Sequence, residues 1–244
     1  MATIRLETDL AAVWVADQFI SQVIEADELY TKVAKNTAAW ASEGWTIVLM
    51  ERGSRFLWEL NCGPKDQQLF QQALQGLVAV IEQTQDLTLL SDGERRYGNI
   101  LFSICHDLLQ DGRPGRPRKR LRRGVRVRLK NKGSKKRRGR PRPKYQAPVP
   151  EHPQTASVID EATIHANHVE AFNAALRRRN AAFRRKMNTD AKTTWDLQRT
   201  LNLHWLIHNF VRIHFTTHKV PAVAIGILET GLSWMQLFSI RYTA

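Results

Sequence analysis

Apolar residues recur along the chain in two rhythms. Short runs at Ile24 to Lys35 (IEADELYTKVAK), Trp45 to Met50 (WTIVLM) and Phe56 to Leu60 (FLWEL) predict three strands, the last two joined by a turn at Glu51-Arg52-Gly53-Ser54. Cys62-Gly63-Pro64 breaks the pattern. From Lys65 to Gln83, Leu69, Phe70, Ala73, Leu74, Leu77, Val78 and Ile81 fall at helical spacing. Leu87 to Leu90 predicts a fourth strand, ending at Ser91-Asp92-Gly93. Upstream, Leu10, Val13, Trp14, Phe19, Ile20 and Val23 could form a short helix feeding the first strand. Tyr97 to Leu109 is apolar and short. After a proline-rich stretch at 147–153, a long helix is predicted from about Asp160 to Lys186, with Val169, Phe172, Leu176 and Phe183 as its buried stripe. A second helix, from about Lys192 to Phe215, carries Trp195, Leu201, Trp205, Leu206 and Phe210, with both tryptophans read as core rather than base-stacking platforms. Val220-Pro221-Ala222 stops it, and a short C-terminal helix follows.

Three strands joined through hairpins, then a crossover helix and a parallel strand, are the opening of an RNase H-like α/β fold: a mixed sheet with flanking helices and a helical C-terminal part. In that order Asp27 lies in the first strand and Asp92 just past the fourth. The two strands are neighbours in such a sheet, so both acids converge at one edge. Glu170 lies on the long helix at the border of its buried stripe, with Asn173 and Arg177 three and seven residues on. Converging carboxylates suit phosphodiester chemistry, in which a pair of Mg²⁺ ions stabilises the attacking and leaving oxygens. Mg²⁺ takes hard oxygen ligands and keeps several waters, so a few acids suffice. The plainer reading is that acids are abundant and a strand-end Asp is common in turns.

Charge changes the picture most. The chain holds 37 Lys or Arg against 23 Asp or Glu, a formal +14, and Gly112 to Lys144 alone holds 18 of the cations and no acid. The remainder is slightly acidic. So dense a run of like charge is expected to be disordered when free and to seek a polyanion. Arg138-Gly139-Arg140-Pro141, followed by Arg142, matches the AT-hook of minor-groove binders, and Gly112-Arg113-Pro114 and Gly115-Arg116-Pro117-Arg118 repeat part of it. Proline holds such a segment extended while arginines enter the narrow groove of A·T-rich DNA. A solvated basic linker or a localisation tag is the alternative. Arg177, Arg178, Arg184 and Arg185 beside Glu170 read as a DNA-backbone track or as a solvated helix face. His204, His208, His214 and His218 read as surface or DNA-proximal. Cys62 and Cys105 make no zinc pattern and fit a reducing cytoplasm. No apolar run reaches the roughly 18–20 residues of a membrane span, and no secretory signal is evident.

Glu25-Ala26-Asp27-Glu28-Leu29-Tyr30, then Ser91-Asp92-Gly93, then His168-Val169-Glu170-Ala171-Phe172-Asn173 with Leu176-Arg177-Arg178-Arg179, resemble the DDE transposases of bacterial insertion sequences, most closely the insertion sequence one family. The resemblance covers about 25–230. It implies that Asp27, Asp92 and Glu170 bind two Mg²⁺ ions (Mn²⁺ substituting), that His168 flanks the site and that Asn173 supports it. Glu25, Glu28 and Glu94 are the neighbours most easily mistaken for triad members. It further implies DNA strand cleavage and strand transfer on transposon ends and target, a homo-oligomer when active, no membrane, and a cytoplasmic, nucleoid-associated protein. Two departures stand out. Asp92 and Glu170 have 77 residues between them, longer than the family's spacing. Only 26 residues precede Asp27, too few for a separate end-recognition module, as in a downstream reading frame or a truncated copy. The expected organisation is a lead segment at 1–23, the first part of the catalytic domain at 24–108, a basic insertion at 109–157, the helix with the third carboxylate at 158–190, and a helical C-terminal part at 191–244. The competing expectation is a non-catalytic AT-hook-like DNA-binding protein, or a truncated transposase acting as a regulator.

Overall fold

The computed structural model describes residues 21–34, 38–84, 86–110, 112, 115–130, 145–156, 159–184 and 190–239. Of the short helix expected before the first strand, Leu10 to Ile20 lie outside them and Val23 is already in the strand; the AT-hook core at 138–142 lies outside them too, as do Arg113 and Arg185. The first half is a sheet with helices laid on it: β1 (Ser21–Tyr30), β2 (Trp45–Glu51), β3 (Leu57–Gly63), α1 (Gln67–Gln83), β4 (Asp86–Ser91) and α2 (Arg95–Ile104). Then come β5 (His106–Leu109), β6 (Arg118–Leu121), β7 (Val125–Lys130) and β8 (Tyr145–Gln146), followed by α3 (Asn167–Arg179), α4 (Thr194–Leu206), α5 (Pro221–Ala224) and α6 (Trp234–Ser239). Six strands form one mixed sheet in the order β3-β2-β1-β4-β7-β8, and β5 pairs with β6 apart from it. β1, β4 and β7 run parallel, and β2 is antiparallel to its neighbours. The mixed α/β architecture with flanking helices is as the hydrophobic rhythm predicts.

Alternation along β1 divides the molecule. Glu28 reaches Lys65 beside α1, whereas Glu25 and Asp27 bond to α3, as expected where successive side chains face opposite sides of a sheet. Asp66 starts α1 by accepting the amide of Leu69, a standard N-cap. Leu69, Phe70, Ala73, Leu74, Leu77 and Ile81 of α1 are buried at the spacing read from sequence. α2 comes close to the segment after β8 because Gly98 has no side chain; a Cβ there would lie 2.7 Å from Pro148 Cγ.

The basic run departs from expectation. Rather than being disordered throughout, the run contributes a strand to the sheet: β7 pairs in parallel with β4 from Leu87↔Val125 to Ser91↔Leu129, and β6 pairs with β5 apart from it. Val125, Val127 and Leu129 are buried, and they alternate with Arg126, Arg128 and Lys130. These three cations meet acids from outside the run: Arg126 pairs with Asp86, Arg128 with Glu151, and Lys130 Nζ lies 3.6 Å from Asp92. A strand with one buried face and one paired face satisfies both the hydrophobic and the charge requirement. β7 continues into β8 through an antiparallel pair, Lys130↔Tyr145, so residues 131–144 connect two paired strand ends.

The C-terminal helices also end differently. The helix expected from about Asp160 to Lys186 is α3, flanked by single 3₁₀ turns at Glu161–Thr163 and Ala181–Phe183. The helix expected to run to Phe215 gives way after Leu206 to a π-helical turn, Ile207–Val211. That turn sets Asn209, fully buried, against the edge strand β3: its amide donates to the carbonyl of Leu57 and its oxygen accepts the Leu57 amide. Trp205 donates to the same carbonyl, and Gln198 bonds the Cys62 amide and the Leu60 carbonyl. Side chains of α4 and the turn thereby satisfy a sheet edge that would otherwise be open. Trp205 is buried, but Trp195 is 62% exposed, which corrects the core reading for it. Ten residues on a helix put the two tryptophans roughly 80° apart around it.

Candidate functional site

The parallel strands bring Asp27 and Asp92 together. Ala26 is registered with Ser91, so the next residue on each strand is one of the two acids. Asp27 Oδ1 accepts the Glu28 amide at 2.9 Å, and Oδ2 accepts from Asn173 Nδ2 at 2.8 Å. Asn173 is itself buried on α3. The Asp27 carboxyl is pushed up to about 6, chiefly by burial and also by the charges of Glu28 and Asp92, against the pull of the Glu28 amide and Asn173. Burial and the nearby charges of Glu28, Asp27 and Glu94 hold the Tyr97 phenol well above its ordinary range. The site is therefore rich in negative charge, with Lys130 and Lys65 at its margins.

A second acid positions the helix that completes this arrangement. Ala166 at the start of α3 offers no capping side chain. Glu25 of β1 caps it instead: Oε2 accepts the amides of His168 and Val169 at 2.9 and 3.0 Å, and Oε1 meets His168 Nδ1 and Arg52 Nε, both at 2.7 Å. Arg52 also donates to the carbonyls of Thr163 and His165, which ties the segment before α3 to the turn after β2. Glu25 is fully buried, and burial alone would raise its pKa. The bonds from His168, Val169 and Arg52 outweigh that and bring it below its ordinary value. This anchor sets where α3 begins and so brings Asn173 to Asp27.

Asp27, Asp92 and Asn173 come together as expected from the motifs. His168 turns to Glu25 rather than to Asp27. Glu170 stands exposed in the first turn of α3, and among the described residues no hydrogen bond or ion pair to its carboxylate is formed. The metal-ligating atoms of Asp27, Asp92 and Glu170 do not all lie within 4.8 Å of one another. Among the described residues Glu25, His165 and His168 do, and this buried group could hold a metal ion. The Glu25 oxygens there already receive four donors, so an ion would have to displace Arg52 and the His168 ring. The three acids most easily confused with the triad are engaged elsewhere: Glu25 as the cap, Glu28 with Lys65, and Glu94 as the N-cap of α2, bonded to Arg96.

The oxygens around Asp27 fit a hard cation. Asn173 Oδ1, on the side chain that bonds Asp27, is buried without a hydrogen-bond partner among the described residues, and buried polar atoms rarely remain so without a reason. With the two aspartates it offers an all-oxygen donor set of the kind Mg²⁺ prefers.

The expected DNA-contacting arginines are dispersed. Arg116 and Arg118 are exposed, the latter on β6. Arg178 and Arg184 are exposed and linked through the Arg178 carbonyl, while Arg177 is half-buried. Arg177, Arg178 and Arg179 fill the last turn of α3, where positive charge also favours the helix dipole. Of the histidines read as surface, His208 is buried in the π-helical turn. Its ring packs edge-on to Phe172, Nε2 donates to the Arg55 carbonyl, and burial pulls its pKa down to about 4.

Compared with models of known protein families and with curated proteins, the chain gives no match. Among the described residues no helix is long and apolar enough to cross a membrane.

Proposed function

We propose that the chain is the catalytic core of a DDE-type transposase, with an RNase H-like sheet, which cuts DNA and joins the freed end to a target. The observation that carries this reading is the meeting of Asp27, within β1, and Asp92, just past the end of the parallel neighbour β4, with Asn173 bonded to Asp27 from a helix capped by Glu25. The strand order β3-β2-β1-β4-β7 supports it. Asp27 and Asp92 would hold two Mg²⁺ ions, with Glu170 joining from α3. Bound there, they would supply charge stabilisation for the attacking and leaving oxygens. In cleavage, a water oxygen bonds to the scissile phosphorus and the 3′ oxygen leaves. In joining, that 3′ hydroxyl attacks a target phosphorus and displaces a new 3′ oxygen. Asn173 keeps the Asp27 carboxylate turned toward the site, and Lys130 offsets charge at Asp92.

The test is metal-dependent cleavage and joining of labelled duplex DNA by the purified chain, with Mg²⁺ or Mn²⁺. Asp27→Asn, Asp92→Asn and Glu170→Gln are each expected to abolish it while leaving DNA binding intact. Cleavage retained by Asp92→Asn would overturn the assignment. DNA binding with neither cleavage nor joining in either metal would favour the non-catalytic, AT-hook-like alternative.

A further inference from the structure

Helix α3 has two flanks. At 100° per residue, Glu170, Asn173 and Arg177 form one stripe, beside Asp27, and Ala171, Ala175 and Arg179 form a stripe on the opposite side. The second stripe walls a cavity of about 320 Å³, closed by Met50 of β2, by Arg55 and by residues 212–216 beyond the π-helical turn. The cavity lies about one helix diameter, roughly 10 Å, from the acidic site.

Its chemistry is the inverse of that site. Arg55, Arg179, Arg212, His168, His208 and His214 line it, and no Asp or Glu does. Among the described residues none of the three guanidiniums has a hydrogen bond or an ion pair. The acids nearest Arg55 are already occupied: Glu25 caps α3, and Glu51 accepts the amides of Gly53 and Ser54 and the Ser54 hydroxyl. Arg55 is held in the left-handed region at φ 66°, with its carbonyl fixed by His208. A non-glycine residue there is strained, and such strain concentrates at functional positions. Unpaired cations converging on a cavity repel one another, and an anion would relieve the repulsion.

The remaining wall is apolar. Phe172 and Ile213 contribute to it, and Phe215 stands beside it 90% exposed. The volume is at the low end of the range of about 300–1,000 Å³ for small-molecule sites. A bare phosphate would leave most of this space and the aromatic wall unused. A nucleotide uses both, because its phosphate suits guanidiniums and its base offers a face for stacking.

We propose that this cavity is a subsite for one unstacked nucleotide, its phosphate held by Arg55, Arg179 and Arg212 and its base lying against Phe172 and Phe215. The inference rests on the reading of the chain as a DNA-processing protein and names what that reading lacks: a place beside the acidic site where a single nucleotide is held. Calorimetric titration of the full chain with thymidine 5′-monophosphate, thymidine and inorganic phosphate tests it. The monophosphate is expected to bind at least tenfold tighter than either of the others. Arg179→Gln and Arg212→Gln, both at exposed side chains, are expected to weaken it tenfold or more, and Phe215→Ala to weaken it several-fold without changing phosphate binding. Adsorption to the basic run would be indifferent to these substitutions, so unchanged monophosphate affinity in both arginine variants overturns the subsite. Equal affinity for inorganic phosphate overturns the nucleotide assignment. Asp27→Asn is expected to leave monophosphate binding unchanged. Cleavage without monophosphate binding would defeat the subsite alone, and monophosphate binding without cleavage would defeat the proposed function alone.

Discussion

Asp27 and Glu25 lie two residues apart on one strand, yet they titrate in opposite senses. Asp27 moves from 3.8 to about 6, so at neutral pH its ionised form costs the fold up to about 3 kcal/mol, at ~1.4 kcal/mol per pH unit. A raised carboxyl is most compatible with the fold below its unfolded value, and the advantage is lost as pH rises through the folded value. Asp27→Asn is therefore expected to raise the melting temperature at pH 7.5 by several degrees and to change it little at pH 4. Mg²⁺ is expected to stabilise the native chain and not this variant. Equal melting of the two proteins at both pH values would show that Asp27 is not strained by burial. Glu25 is lowered below 4.5, so its contribution is present above that pH and fades as acid protonates it. Breaking a buried pair by removing one partner costs about 3–5 kcal/mol. Glu25→Gln is expected to lose stability of that order at pH 7, with the gap to the native chain narrowing toward pH 3, as read by denaturant titration. The aspartates were legible in sequence because each sits in a short motif, Asp27 within a strand and Asp92 just past the end of one. Glu25 was not legible as a cap, because its partners lie 143 and 144 residues away and leave no local signal.

Local rhythm placed β2, β3, α1 and β4 within a few residues, since their burial follows simple periods along the chain. It failed at β7, where charge density concealed a period-2 pattern: Val125, Val127 and Leu129 alternate with three cations. A strand of that composition is stable only because Asp86, Glu151 and Asp92 meet its polar side, and those partners lie outside the segment. The end of α3 and the π-helical turn were hidden for the same kind of reason, since Glu25 sets the one and β3 demands the other. The run from Gly112 to Lys144 therefore divides. Leu129→Ala is expected to destabilise the chain by about 2–5 kcal/mol, the usual cost of emptying a buried leucine site. Removing 118–130 is expected to abolish cooperative unfolding. Joining Lys130 to Tyr145 by two glycines, with 131–144 removed, is expected to preserve the melting transition. Equal stability of the two deletions would show that β7 is dispensable and the sheet wrongly closed.

Across the molecule, charge is sorted by place. Acids gather at Asp27 of β1 and Asp92 just past β4, three guanidiniums unpaired among the described residues line the other flank of α3, and residues 131–144 carry 8 Lys or Arg and no acid. That segment leaves the sheet at Lys130, whose ammonium lies 3.6 Å from Asp92. Under the proposed function, a polyanion drawn to it would reach the edge where Asp27 and Asp92 meet. The 10 cations of 112–130 are not equivalent to these 8, because Arg126, Arg128 and Lys130 already have acidic partners. For duplex DNA the salt slope falls by about 0.9 for each phosphate neutralised. Deleting 131–144 is expected to flatten the plot of log affinity against log salt by up to about 7 and to weaken binding strongly at low salt. Arg126→Gln is expected to leave the slope unchanged while reducing stability, because its charge is spent on Asp86. A comparable loss on A·T-rich and G·C-rich duplexes would assign the segment to electrostatic attraction alone, and a larger loss on A·T-rich DNA to groove reading by 138–142. If the deletion left the slope as it was, the segment would not touch DNA, and the electrostatic route to the acidic site would have to run through the exposed arginines at the end of α3.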